Sequence, residues 1–555
     1  MPEPLGGLGV SPGVTAGPVY RMAAAPALPE DIPTVEDSTG EIDRAAQALA
    51  AVADELNRRA AAAPATAAEV LRAEALIAAD PVLADAVTER IGQGRPAAWA
   101  VTDAMNEQRA AFEEMGGYFA ERAADLDDIR DRAVAHLLGL PMAGVPDPGE
   151  PFVLIADDLA PADTATLDPA IVLGLVTRRG GPTGHTAILA KALGLPAVVA
   201  CAGILDVEDG TVVSVDGDTG EVHPVTAAEA ADVRTRAEAD RRAAASLGGP
   251  GRTADGHPVK LLLNVGSAAD LDGVSLEGID GVGLFRTEFL FLGRGTAPSP
   301  AEQERAYAEL FQAMDGRKVV LRTLDAGADK PLPFLGLEPE ENPALGVRGL
   351  RVARSRPAVL ADQLDAVARA AKATSADVWV MAPMVATRPE AAAFAEQVRA
   401  AGLMTAGVMV EVPAAAVLAA RLLEVVDFLS IGTNDLSQYT LAADRTSGEL
   451  ADLLDPWQPA LLHLIATCAT AGRAAGKPVS ICGEAASDPM LALVLVGLGV
   501  TSLSMSARGI NAVRASLAGQ SLARCRELAA LALDADDAQA ARAAVRDGIG
   551  HSAAN

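Results

Sequence analysis

The spacing of apolar positions changes along the chain, and the changes divide it. Residues 1–22 carry a short strand-like text, Gly9-Val-Ser-Pro-Gly-Val-Thr-Ala-Gly-Pro-Val-Tyr20. It is too short to own a core, so it must pair with strands supplied later. Residues 23–145 are helical in pattern: Ile42, Ala45, Leu49, Val52 and Leu56 recur at a/d spacing, with charge on the other faces. From Pro151 the text turns to α/β, with strand-like runs at 152–155, 171–176, 196–200 and 211–215. A polar Ala/Arg/Glu-rich helix follows over 226–246, opened by Thr226 and Glu229 at the spacing of a capping box. It stops at Leu247-Gly-Gly-Pro-Gly251 and reads as a semi-rigid linker. Beyond Gly251 eight β-type runs alternate with helical segments: 259–265, 281–285, 319–321, 378–383, 407–410, 428–432, 478–481 and 502–505. Eight is the count for a (β/α)8 barrel. A doubly wound open sheet is the alternative, and the placement of the polar residues favours the barrel.

Composition narrows the function. A chain of 555 residues makes three or four domains, and with half the residues apolar there is ample core. Only 3% is aromatic, which suits helices and α/β layers more than a β-sandwich. The net charge of −29 argues against nucleic acid and anionic membranes and favours a basic protein partner. Between Glu30 and Leu140 there are 22 acidic and 10 basic residues, a net of −12 and twice the average density, so the helical region is the candidate docking face. Glu69, Glu74 and Leu76 on a helix over 67–79 are candidate contacts. The longest apolar runs, such as 490–500, are too short to span a bilayer. Met1–Gly7 lacks a basic or apolar leader pattern, so a cytoplasmic location is expected. Cys201, Cys468, Cys482 and Cys525 have no paired spacing, so neither a disulfide framework nor a zinc site is expected.

Chemistry-bearing residues gather in two places. In Gly180-Gly-Pro-Thr-Gly-His185-Thr-Ala-Ile-Leu-Ala-Lys191 a glycine-rich loop runs into a helix beginning near His185. Backbone N–H groups at a helix start favour a phosphate, and a neutral imidazole can carry a phosphoryl group covalently. The other five histidines (His136, His223, His257, His463 and His551) have no comparable setting. The second place is the C-terminal ends of the barrel strands, with Arg286, Arg322, Glu411, Asn434-Asp435 and Cys482 after strands 2, 3, 5, 6 and 7. That face carries the active site in this fold. Two guanidiniums suit a phosphate and a carboxylate, and two hard oxygen ligands suit Mg²⁺ bridged to a substrate phosphate.

The text resembles enzyme I of the bacterial phosphoenolpyruvate:sugar phosphotransferase system, from Ser11-Pro-Gly to about Ser506. The motifs that carry the resemblance are Gly180-Gly…His185-Thr, Gly283-Leu-Phe-Arg-Thr-Glu-Phe289, Leu321-Arg-Thr-Leu-Asp-Ala-Gly-Ala-Asp-Lys330 and Glu341-Asn-Pro-Ala-Leu-Gly-Val-Arg348. Val410-Glu-Val-Pro-Ala414, Ser430-Ile-Gly-Thr-Asn-Asp-Leu-Ser-Gln-Tyr-Thr-Leu-Ala-Ala-Asp-Arg445 and Ile481-Cys-Gly-Glu484 continue it. The resemblance implies a swivelling phosphohistidine β/α domain (1–22 with 146–225) interrupted by a helical carrier-binding domain (23–145). A linker (226–250), a phosphoenolpyruvate-binding and dimerising (β/α)8 barrel (251–547) and a tail (548–555) complete it.

It also implies the roles. His185 becomes the phosphohistidine at Nε2, and Thr164 orients its imidazole. Arg286, Arg322 and Arg445 hold phosphoenolpyruvate, Asn434 contacts its phosphate, and Glu411 and Asp435 ligate Mg²⁺. Cys482 protonates C3 of the enolpyruvate, and Lys330 and Arg348 are further basic residues of the site. Phosphoryl then passes to the histidine phosphocarrier HPr, the first step of sugar transport by this system, so the histidine domain must swing between barrel and carrier. Pro182 and Gly184 depart from the Arg and Ser usual in the family's histidine loop. An ATP-using dikinase or synthase relative would need a nucleotide-binding domain for which 555 residues leave no room. A regulatory phospho-relay paralogue is disfavoured because the matched substrate positions keep the expected residue types, and no sensory domain is expected before Gly9.

Overall fold

The computed structural model describes all residues except 1–3, 23–27, 30, 63–64, 116–122, 141–144, 147, 160–166, 182–184, 293, 328–331, 339, 446–447 and 553–555. The chain forms two compact units, Met1–Glu238 and Ala239–Asn555.

In the first unit the N-terminal text finds the partners it requires. Strands β1 (Leu5–Gly6), β2 (Leu8–Ser11) and β3 (Val14–Arg21) join β4 (Phe152–Ala156), β5 (Val172–Thr177), β6 (Ala197–Val199), β7 (Val212–Asp216) and β8 (Glu221–Pro224). The sheet order is β1-β8-β7-β3-β4-β5-β6-β2. β3 pairs parallel with β4 and antiparallel with β7, and so stitches the chain start into the later α/β text. Strand β8 is not among the expected runs, because Val222 is its one buried apolar residue and four residues give no readable period. Gly217 is required by close approach: a Cβ there would lie 1.8 Å from the Ser11 carbonyl oxygen.

The helical insertion comprises α1 (Ser38–Ala62), α2 (Ala65–Ala78), α3 (Pro81–Gly92), α4 (Ala97–Met115) and α5 (Ala123–Leu138). Ala45, Leu49, Val52 and Leu56 enter its core with Leu71, Met105 and Ile129, as the heptad spacing requires. Arg132 is buried there with Asp128 at 2.7 Å and Glu55 at 3.3 Å. Glu74 corrects the docking assignment: it is fully buried and unavailable to a partner, whereas Leu76 is 74% exposed. One and two steps along a helix turn the side chain through large angles, so neighbours in sequence need not share a face. Helix α6 (His185–Leu193) packs Ala187 and Ala190 against Phe152, Leu154 and Leu175. Helix α7 (Ala227–Ser246) starts as expected, with Thr226 N–H donating to Glu229 at 2.8 Å and Glu229 N–H returning to Thr226 Oγ1 at 3.3 Å.

The second unit is the expected barrel. Strands β9 (Lys260–Val265), β10 (Gly281–Arg286), β11 (Lys318–Arg322), β12 (Asp377–Ala382), β13 (Thr405–Val410), β14 (Phe428–Ile431), β15 (Val479–Ile481) and β16 (Ser502–Met505) close into a ring, with β16 parallel to β9. Residue parity divides their side chains. Val319, Leu321, Val380, Val408, Val410, Leu429, Ile431, Val479 and Ile481 pack among the outer helices. Leu284, Val320, Met381, Met409 and Phe428 form a separate cluster that fills the bore. Each such side chain, fully buried, contributes on the order of 1.5–3 kcal/mol. The outer helices include α8 (Pro300–Ala313), α9 (Pro357–Lys372), α10 (Arg388–Ala400) and α11 (Thr433–Leu441). Capping boxes Ser299/Glu302 and Thr387/Glu390 start α8 and α10. No described helix is long and apolar enough to cross a membrane.

Candidate active site

The same parity that fills the bore aims the functional side chains. In β11 Val320 points inward, so Arg322 does too; in β13 Met409 points inward, and so does Glu411 one step beyond the strand end. Cys482, next after outward-facing Ile481, belongs to the bore cluster. Beyond β14 the chain turns at Gly432 into α11, whose first turn carries Asn434 and Asp435. All of these lie at the C-terminal ends of the strands, the face on which barrel enzymes build their sites.

The charged groups there form an alternating chain. Buried Arg322 bonds to Glu288, lies 3.1 Å from Asp325 and 3.7 Å from Glu411. Asp325, wholly buried, also holds Arg348 at 3.1 Å. Arg348 continues to Asp435 at 3.2 Å and donates to the Tyr439 hydroxyl at 3.4 Å, and Arg445 lies 3.5 Å from Asp435. Burial opposes the charge on Arg322, but Glu288, Asp325 and Glu411 outweigh it and hold the guanidinium above its ordinary value. Arg286 ends β10, half-buried, and its charge reaches Cys482.

Glu411 is pushed up to about 8, first by burial and then by the neighbouring charges of Asp325 and Asp435, with Arg322 and Arg348 pulling the other way. Its Oε2 accepts the Met384 N–H at 2.9 Å, and Met384 sits at φ 59°, a left-handed conformation that a side chain disfavours. Crowded carboxylates with one so reluctant to ionise suit a divalent cation, which would relieve their mutual repulsion. A hard divalent cation held by two carboxylates completes its shell with water oxygens and needs no full protein cage.

Burial pushes the Cys482 thiol up to about 11, so it stays protonated at neutral pH. Its Sγ donates to the Ile431 carbonyl at 3.5 Å, while Asn264 Nδ2 donates to the Cys482 carbonyl at 3.1 Å. Asn434 Oδ1 accepts the Glu484 N–H at 3.3 Å.

The barrel thus brings together Arg286, Arg322, Arg348, Glu411, Asn434, Asp435, Arg445 and Cys482. His185 opens helix α6 in the other unit, at the helix start expected for it. Thr164, Lys330, Pro182 and Gly184 lie outside the described residues. Glu288 and Asp325 belong to the same charged chain and carry no role in the sequence reading, although both stand inside the quoted motifs. Their signal was local: each lies two or three residues beyond an inward-facing arginine at a strand end.

Family models cover most of the chain. The phosphoenolpyruvate-utilising enzyme models match as N-terminal over residues 6–122, as mobile domain over 148–220 and as phosphoenolpyruvate-binding domain over 241–522. The last of these falls on the barrel unit. A phosphoenolpyruvate-protein phosphotransferase of Streptomyces coelicolor is 53% identical over 98% of this chain and 99% of its own. The chain belongs to the phosphoenolpyruvate-protein phosphotransferase family. Members of that family from Haloferax volcanii (43% identical, 82% of this chain and 83% of that one) and Staphylococcus carnosus (39%, 93% of each) are similar along most of their length.

Proposed function

We propose that the chain transfers the phosphoryl group of phosphoenolpyruvate to His185 and then to a histidine of the phosphocarrier HPr, releasing pyruvate. This is the first step of sugar transport by the phosphotransferase system. The alternation of guanidiniums and carboxylates at the barrel mouth carries the reading. Arginines gathered at the mouth support a small anionic substrate there, and the relatives' shared name supports phosphoenolpyruvate as that substrate.

Phosphoryl transfer asks a protein chiefly for positioning and charge neutralisation. Arg286, Arg322 and Arg445 hold the phosphate and carboxylate, Asn434 contacts the phosphate, and Arg348 and Lys330 add positive charge. Glu411 and Asp435 would hold Mg²⁺, which when bound would neutralise phosphate charge. Cys482, protonated in its buried setting, supplies the proton that turns the leaving enolate into pyruvate. Thr164 orients the His185 imidazole. The 1–22 and 146–225 segments form the phosphohistidine domain, 23–145 docks the carrier, 226–250 links, and the barrel, 251–547, dimerises. The place of work is the cytoplasm.

Mixing the purified protein with phosphoenolpyruvate, Mg²⁺ and the carrier tests this directly. Pyruvate should appear in proportion to phosphorylated carrier, with no requirement for ATP. Activity that depends on ATP would overturn the reading.

A further inference from the structure

Gln363 lies on the apolar stripe of α9, among Leu360, Leu364, Val367 and Ala370, and is completely buried. A lone amide on such a face is costly unless every polar atom is met. Here they are. Gln363 Oε1 accepts the Leu324 N–H at 2.9 Å, and since that N–H can only donate, the orientation of the amide is fixed. Gln363 Nε2 donates to Thr287 Oγ1 at 3.1 Å and to the Tyr307 hydroxyl at 3.1 Å. Thr287 in turn donates to the Arg322 carbonyl at 2.8 Å. Tyr307 donates to Gln303 Oε1 at 3.1 Å, and Gln303 Nε2 to the Pro298 carbonyl at 3.1 Å.

Thr287 directly follows Arg286, and Leu324 stands between Arg322 and Asp325. The amide therefore bridges the segments that leave β10 and β11, at the point where each has just presented its arginine. Those segments have left the sheet ladder, so their backbone groups need another partner to be fixed. We infer that Gln363 is a positioning residue for phosphoenolpyruvate binding: from the outer helix layer it sets the spacing of Arg286 and Arg322. It touches neither substrate nor arginine side chain; it acts through Thr287 and the Leu324 backbone. The inference rests on the reading that the barrel mouth binds phosphoenolpyruvate.

The test uses the full-length protein and two half-reactions. Gln363→Met keeps the length and removes the hydrogen bonds; Thr287→Val keeps the shape and removes the link to Arg322. Each should raise KM for phosphoenolpyruvate about tenfold, the size of one buried hydrogen bond, with a much smaller change in kcat. Exchange of phosphoryl between His185 and the carrier does not use the barrel and should be unchanged. The double variant should fall short of the product of the two effects, because both act through one link. Should Gln363→Met fail to fold, Thr287→Val alone decides. Normal KM in a folded variant overturns the inference, as does equal loss in both half-reactions. A wild-type protein that does not react with phosphoenolpyruvate would instead overturn the underlying reading.

Discussion

Asp325 is the carboxylate on which two buried arginines converge, with Arg322 and Arg348 each 3.1 Å away and no exposure to solvent. Asp325→Asn keeps its shape and removes its charge. Breaking a buried ion pair from one side costs about 3–5 kcal/mol. Here each arginine keeps another partner, Glu288 and Glu411 for Arg322 and Asp435 for Arg348, so less than the full cost applies. We expect about 2 kcal/mol in transition-state stabilisation, which at about 1.4 kcal/mol per tenfold is roughly a thirtyfold fall in kcat/KM for phosphoenolpyruvate. A second effect runs the other way. Asp325 is, after burial, the main reason Glu411 resists ionisation, so its neutralisation should ease Glu411 toward the charged form. Because a metal ligand must be deprotonated, the Mg²⁺ concentration for half-maximal rate should fall or hold, even as kcat/KM drops. Pyruvate release followed against phosphoenolpyruvate and Mg²⁺ separates the two effects, with carrier exchange as the internal control. A folded Asp325→Asn protein with kcat/KM within threefold of wild type would refute the reasoning.

Cys482→Ala should slow turnover strongly and leave phosphoenolpyruvate affinity nearly intact, since the role proposed for the thiol is to supply a proton and not to neutralise charge; unchanged turnover with a raised KM would contradict this. With the thiol up at about 11, no loss of rate from its ionisation should appear below about pH 10 in the pyruvate-forming reaction. Lys318 lies at the other end of the barrel, its Nζ 3.3 Å from the Trp379 ring centroid, and burial, then Lys260, lowers it from 10.5 to about 8. The unfolded chain then binds more protons between those values, so barrel stability should rise with pH across that window. Thermal unfolding of Lys318→Met should lack that rise. Carrier binding should weaken as salt screens the acidic helical unit, chiefly through a slower on-rate, and exposed Leu76→Ser should weaken it with no change in melting temperature. Affinity indifferent to salt would contradict an electrostatic dock.

The barrel was legible because its strands repeat the same contrast, apolar β-type text ending in a polar residue. That regularity marks Arg286, Arg322, Glu411 and Cys482 as strand-end residues in the sequence itself. Strand β8 escaped because one buried valine in four residues makes no pattern. The burial of Glu74 is not readable for a related reason: on an Ala-rich helix the apolar stripe is faint, and charge alone does not reveal which face is inward, so the sequence leaves the docking face open. Asp325 and Glu288 were in view as letters, but their roles come from convergence of separate loops on one guanidinium. Gln363 was invisible in the same way, since a single polar residue on a buried stripe gains meaning only from the partners that meet it.

The central claim is that phosphoenolpyruvate phosphorylates His185 through the barrel site. Mass spectrometry of the protein after exposure to phosphoenolpyruvate and Mg²⁺, alongside His185→Ala and Arg322→Met, tests it most directly. The account predicts one acid-labile phosphoryl group on His185 in the wild type, matched by an equivalent of pyruvate, and none in either variant. Phosphoryl found on another residue, or on His185 when Arg322 is gone, would contradict it.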